Sequence, residues 1–265
     1  MLTLLEQLFK QVRAYVQSER FNRTEVYTQS PEHTTMLFDR EAEDIIINGL
    51  YDSGQGFEII TEERPAFTTT ATPAYRIIID PVDGSHNVIR GIATAGVALA
   101  VLPIDAPISP GQVQWALVGE LFSGTVYQAH RGSGAFRNGQ PCRVSETKQF
   151  QNCLAGVNFD QRDLTTLRKL TTEPPTLGGI RRTGSSAMDT VYVASGAYDA
   201  YIDIGNVLTA ESFLASVSII LEAGGIVSDQ HGRPLRPATN LTEGFSLVAT
   251  GTKELHEAIL ARIRN

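Results

Sequence analysis

Ile77-Ile78-Ile79-Asp80-Pro81-Val82-Asp83-Gly84-Ser85 is the stretch on which the reading of this chain turns. Three β-branched residues in a row form a short buried strand, and every polar group of the segment is crowded at its C-terminal end. That is where α/β enzymes place their chemistry. Asp80 and Asp83 lie across a turn stiffened by Pro81, close enough to aim two carboxylates at one hard cation or at a pair of them. Gly84 and Ser85 add backbone NH groups that the strand does not use, and these suit an anion such as phosphate. Asp-Pro and Asp-Gly are also ordinary turn formers, so the segment alone reads equally well as a plain turn.

The bulk composition allows a metal-assisted site without demanding one. A chain of 265 residues builds one large domain or two small halves around a substantial core. Lys and Arg total 22 against 29 acids, a net charge of −7, which disfavours nucleic acid or an anionic membrane as a general partner. An acidic protein that acts on phosphates needs a local source of positive charge, and bound divalent metal supplies it. Cys142 and Cys153 match no zinc spacing and imply no disulfide framework. The opening stretch Met1 to Lys10 is broken by charge too early for a signal segment, and no apolar run reaches membrane length. A soluble cytoplasmic protein is expected.

Leu5, Leu8, Phe9, Val12, Tyr15 and Val16 recur at helical spacing and predict an amphipathic helix. Residues 20 to 35 are polar and contain Pro31; they read as a loop, or as a hairpin through Glu25 to Thr28. A second helix buries Phe38, Ala42, Ile45, Ile46 and Leu50, with Asp39 and Glu43 one turn apart beside that stripe. Strands are predicted over 94 to 102, 114 to 122 and 125 to 128, and Asn138-Gly139 marks a type I′ hairpin. The pattern relaxes near Ser145 to Asn152, which divides the chain into halves at 1–148 and 149–265. The second half opens with a strand over 154 to 159 and a helix from about Asp163 to Leu170. Arg181 and Arg182 follow, then a small-residue helix over 187 to 194 and a segment ending in Asp199 and Asp203. The arginines read either as salt-bridge formers or as groups for a second anionic part of a substrate.

Three ordered motifs carry a resemblance to a known family. They are ITEE at 60 to 63, DPVDGSHNVIRG at 80 to 91 and ILEAGGIVSDQHG at 220 to 232, linked by the segments 127 to 145 and 184 to 205. In this the chain resembles the inositol monophosphatase family from about Asp39 to about Gly232. The resemblance implies a layered αβαβα fold with the site where the two halves meet, a Mg²⁺-dependent phosphomonoesterase with two or three ions, and a homodimer. It implies that Glu62, Asp80 and the Val82 carbonyl hold one ion, and Asp80, Asp83 and a carboxylate of a later helix another. Asp39 matches the family's helical Asp, which bonds the hydroxyl after the DG dipeptide, here Ser85. Catalysis would then fall to Asp39, Ser85 and Glu62, and substrate binding to Asp83, Gly84, Ser85, Arg181 and Asp203. On the residues alone Asp39 reads as a solvated first-turn acid and Asp203 as a loop carboxylate in water.

The chain departs from the family before EAGG, where most members carry a Trp-Asp pair whose Asp binds metal. Here the sequence is Leu208-Thr209-Ala210-Glu211-Ser212. Counting back from Glu222 puts Ser212 at the Asp position, and counting forward from Gly205 puts Ala210 there. Glu211, between them, is the available carboxylate; it reads as a metal ligand or as a first-turn acid behind a Thr209 cap. The expected substrate is a small phosphate ester of the inositol-1-phosphate type. Fructose 1,6-bisphosphate, 3′-phosphoadenosine 5′-phosphate and histidinol phosphate stand as alternatives within the family. A non-catalytic phosphometabolite-binding homologue is the alternative from another class.

Overall fold

The computed structural model describes residues 1–29, 34–62, 64–162 and 164–264. The first half begins with α1 (Leu2–Val16), a hairpin of β1 (Val26–Gln29) and β2 (Thr34–Met36), and α2 (Leu37–Asp52). Then come β3 (Phe57–Thr61), β4 (Phe67–Thr68), β5 (Tyr75–Asp83), the short α3 (Ser85–Arg90) and β6 (Gly96–Pro103). A meander of β7 (Trp115–Glu120), β8 (Val126–His130), β9 (Ala135–Arg137) and β10 (Gln140–Cys142) closes it. The second half runs β11 (Leu154–Asn158), α4 (Leu164–Thr171), β12 (Gly179–Arg181), α5 (Ser186–Val191) and β13 (Ala200–Leu208). It ends with α6 (Ala210–Glu222), β14 (Ile226–Ser228), β15 (Phe245–Thr250) and α7 (Lys253–Arg264).

An eight-stranded sheet in the order β10-β9-β8-β7-β6-β5-β3-β4 and a five-stranded sheet in the order β12-β11-β13-β15-β14 form the two β layers. Side-chain alternation along each strand decides which helices cover which face. Ile77, Ile79, Val97, Leu99 and Val101 pack with Leu5, Phe9, Phe38 and Ile46 of α1 and α2. Ile78, Ala98, Ala100 and Leu102 turn the other way, onto Phe213, Leu214 and Val217 of α6. The same central cluster takes in Tyr201, Leu247 and Ala249 of the second sheet. The outer face of that sheet, with Ala155, Val157, Ile202 and Val248, lies under Leu167, Leu170, Leu255 and Ile259 of α4 and α7. The layers are therefore α1–α2, sheet, α5–α6, sheet, α4–α7, the αβαβα order expected. Both sheets are covered on both faces, which is why their central strands read as continuous apolar runs rather than strict alternation. Gly119 lets α1 close on the sheet: a Cβ there would lie 2.3 Å from the Phe9 ring.

The helical middle layer comes from the second half yet packs on both sheets, so residues 1–148 and 149–265 share one core. Asn138 and Gly139 take φ of +50° and +74°, as the hairpin reading required. The polar segment 20 to 35 does contain an antiparallel hairpin, Val26 pairing with Met36. Pro31 lies outside the described residues, as does Asp163, the expected start of α4. The small-residue helix is shorter than predicted, because α5 stops at Val191 and tightens into a 3₁₀ turn over Tyr192–Ser195. Cys142 and Cys153 are both free thiols. Among the described residues no helix is long and apolar enough to cross a membrane.

His256 on α7 is buried, its two ring nitrogens 2.8 Å from Ser228 Oγ and 3.1 Å from Thr250 Oγ1. Burial lowers its pKa below the ordinary 6.5; the Glu257 charge opposes this and the Arg264 charge adds to it. Below that value the unfolded chain takes up a proton that the folded chain resists, so stability is full above 6.5 and falls as the pH drops through it. Urea midpoints at neutral pH and at about pH 5 should show this loss, and His256→Asn should reduce it.

Candidate active site

The end of β5 is bent by a bulge. Asp80 pairs with Ala98 and Asp83 with Gly96, so three steps on β5 span two on β6. A regular strand would send residues three apart to opposite faces; the extra residue cancels that and lets both carboxylates serve one site. Gly84 then takes φ of +100°, and a Cβ there would lie 3.2 Å from Ser185 Cβ and 3.3 Å from the Thr94 carbonyl. Both the dihedral and the space call for glycine. Gly84→Ala should therefore lower stability by more than about 1 kcal/mol, read as a shift in denaturant midpoint without a change in slope.

Asp80 and Asp83 are buried to 4 % and 6 % exposure, and Glu211, from the first turn of α6, to 5 %. Burial, then the charges of Asp83, Glu62, Glu211 and Asp39, hold the Asp80 carboxyl well above its ordinary range. Burial pushes Asp83 up to about 6 against the opposing Ser185 hydroxyl, Ala187 NH and Arg182 charge. Burial also pushes Glu211 up to about 7, opposed by the Thr209 hydroxyl and its own NH and helped by the charges of Glu62 and Asp83. Five acids from α2, the β3 loop, β5 and α6 thus sense one another's charge. Glu62 is exposed, and its neighbour Glu63 lies outside the described residues.

Ser85 stands at the head of α3 with its hydroxyl 2.7 Å from Asp39 Oδ1 and 2.9 Å from the Val82 carbonyl. Its single proton serves one of these acceptors at a time. Asp39 is buried on α2, which corrects the reading of it as a solvated helix-start acid: packing of Phe38 and Ala42 carries it inward. Ser212 Oγ lies 3.3 Å from Asp80 Oδ2, so the hydroxyl at the position counted back from EAGG meets the carboxylate cluster. Ser185, which the sequence marks only as a serine after a glycine, donates to Asp83 Oδ1 while capping α5 by accepting from the Met188 NH.

Two distal residues fall differently. Asp203 lies inside β13, fully buried, so it is no loop carboxylate in water. Arg162 grips it through Nε at 2.7 Å and Nη2 at 2.9 Å, and Asn158 donates to it at 2.8 Å. These partners, with the Tyr201 hydroxyl 3.4 Å from Oδ2, already engage both of its oxygens. Arg181 ends the edge strand β12, exposed, with Nη1 donating to the Ile180 carbonyl at 2.9 Å. Its neighbour Arg182 is tied to Asp160 and Asp189 and sends its charge toward Asp83. The residue pattern did not separate the two arginines, because Arg182, just past the end of β12, is held by acids 22 residues before it and 7 after it in the chain.

The donor set suits a hard divalent cation: carboxylates and one backbone carbonyl, with neither thiolate nor imidazole. Glu211 Oε2 is buried without a hydrogen-bond partner, and a bound cation would satisfy it while neutralising the repulsion at Asp80. Among the described residues no three acidic, histidine or cysteine side chains already close into a metal pocket. The acids share one electrostatic field: the charges of Asp83, Glu62, Glu211 and Asp39 all act on Asp80.

A model of the inositol monophosphatase family matches residues 1–265. The chain belongs to that family. It is similar, at 32 % identity over 85 % of this chain and 82 % of the relative, to the fructose-1,6-bisphosphatase/inositol-1-monophosphatase of Methanothermobacter thermautotrophicus. It is 31 % identical to the Nus factor SuhB of Pseudomonas aeruginosa, over 93 % of this chain and 88 % of the relative. Its fold superposes on the crystal structure of the extragenic suppressor protein SuhB from Bartonella henselae with a TM-score of 0.79 and 25 % identity, covering 100 % of this chain and 97 % of that one. The inositol monophosphatase fold and membership of a phosphatase family follow directly.

Proposed function

We propose that this protein is a Mg²⁺-dependent phosphomonoesterase acting on a small phosphorylated metabolite of the inositol-1-phosphate type. The observation that carries this reading is the set of buried, mutually repelling carboxylates Asp80, Asp83 and Glu211 beside the Ser85–Asp39 hydrogen bond. Glu62, Asp80 and the Val82 carbonyl would hold one ion, and Asp80, Asp83 and Glu211 another, with two or three ions per site. When bound, such ions lower the pKa of water and neutralise the charge that builds on a leaving alkoxide. Ser85, held by Asp39, orients the attacking water through its hydroxyl. The NH groups of Gly84 and Ser85 aim at phosphate oxygens, fixing the ester for in-line displacement. Arg181, exposed at the end of β12, would meet a second anionic group, as a bisphosphate would carry. Asp203 would bind a substrate hydroxyl by exchanging part of its pairing with Arg162 and Asn158.

The relative named as a dual fructose-1,6-bisphosphatase and inositol-1-monophosphatase supports both sugar and inositol phosphates as substrates. A second reading, a phosphometabolite-binding homologue without turnover, is favoured by the missing Trp-Asp pair and by Ser212, the residue counted back to that Asp position, lying against Asp80. Phosphate release from a panel of inositol, sugar and nucleotide phosphates, with and without Mg²⁺, separates the two. Mg²⁺-dependent release supports the enzyme and ranks its substrates. Ligand-induced stabilisation without release at any Mg²⁺ concentration supports the binder. A homodimer in the cytoplasm completes the reading, and sedimentation velocity tests the dimer.

A further inference from the structure

Arg64 lies two residues beyond Glu62, and its guanidinium is anchored on α2. Nε donates to Glu43 Oε2 at 2.6 Å, and Nη2 lies 2.5 Å from both that oxygen and Asp44 Oδ1. Glu43 is fully buried, with Arg40 a more distant cation at 3.5 Å. One turn earlier on the same helix, Asp39 accepts from Ser85. Residues four apart share a helix face, so α2 grips two pieces of chain that are remote in sequence. Through Asp39 it holds the turn that ends β5, and through Glu43 it holds the segment that follows β3. These are the segments that carry Asp80 with Asp83, and Glu62. A buried ion pair adds little stability that apolar packing could not, but it fixes orientation, since each charge tolerates only the geometry that meets its partner.

We propose that Glu43 and Arg64 are positioning residues of the metal site: their ion pair holds the segment after β3 so that Glu62 is presented to Asp80. The proposal rests on the carboxylate cluster being a metal site. Residues that orient ligands from behind act on affinity as well as on rate, typically by about 10- to 100-fold. A helix that holds both segments lets an ion meet Glu62 without first ordering the loop that bears it.

Mn²⁺ binding to the full chain, measured by calorimetry alongside thermal unfolding, tests this. Arg64→Met alone should lower the melting temperature, because Glu43 is left buried with, among the described residues, the more distant Arg40 for charge. The Glu43→Gln/Arg64→Met pair removes both charges and should recover most of that loss. Both proteins should still bind Mn²⁺ at least about tenfold more weakly than wild type. Adding Arg64→Met to Glu62→Gln should cost no further affinity, since the arginine acts through that glutamate. A double variant that is stable and binds Mn²⁺ like wild type overturns the proposal. So does an Arg64→Met loss that is unchanged in the Glu62→Gln background. Mn²⁺ affinity indifferent to Asp80→Asn is a different signature: it removes the metal site itself, and the positioning role with it.

Discussion

Asp80→Asn is expected to cut Mg²⁺-dependent phosphate release by about 10³-fold or more in kcat/KM. Asp80 is the acid on which the charges of Asp83, Glu62, Glu211 and Asp39 all act, and in the proposed site it would help to hold the metal. Metal-ion charge stabilisation contributes several kcal/mol to such a transition state, and each loss of about 1.4 kcal/mol is tenfold in rate. Asparagine keeps the shape and can still meet the Ser212 hydroxyl, but removes one negative charge from a buried cluster. The metal-free variant should therefore melt no lower than wild type, and somewhat higher if relief of repulsion outweighs the altered hydrogen bond. Steady-state release assays and scanning calorimetry read the two halves of this result. Turnover within about tenfold of wild type would show that the reaction does not run through this cluster.

The second large effect is on stability. Mg²⁺ at about 100 times its dissociation constant should stabilise the folded chain by about 2.7 kcal/mol, which for a domain of this size is a rise of about 5–10 °C in melting temperature. Chelation should reverse it. Glu211→Gln should shrink that rise and, in metal-free protein, increase stability. The side chain is buried, its Oε2 has no hydrogen-bond partner, and its charge sits beside those of Glu62 and Asp83. An amide of the same shape removes the repulsion and the ligand together. A full Mg²⁺ shift in Glu211→Gln would exclude Glu211 as a ligand and leave Ser212 as the α6 group nearest Asp80.

Several parts of the fold were legible because they are set locally. The amphipathic stripe of α1 appears in the sequence as Leu5, Leu8, Phe9, Val12, Tyr15 and Val16, of which the first five are buried and Val16, at the helix end, is half-buried. The Asn138-Gly139 turn was legible because few residues accept two consecutive positive φ values. The layer order was legible only through the family motifs, since periodicity tells that a strand is buried but not which helix covers it. The middle layer shows why. Helix α6 is apolar on nearly every side, and only its packing against both sheets explains that.

The sequence by itself determined the Asp80-Pro81-Val82-Asp83-Gly84-Ser85 turn and the groups it carries, because they are neighbours along one short stretch of backbone; the bulge that lets both carboxylates serve one site was decided by the pairing of β5 with β6. Tertiary structure decided everything that depends on a partner far away in the chain. It set Ser185 on Asp83 from 102 residues off, Arg162 on Asp203 from 41, and Arg64 on Glu43 from 21. It also turned Glu211 of α6 inward. A side chain's partner is chosen by how sheets and helices close around it, and a buried charge accepts whichever opposite group that closure delivers.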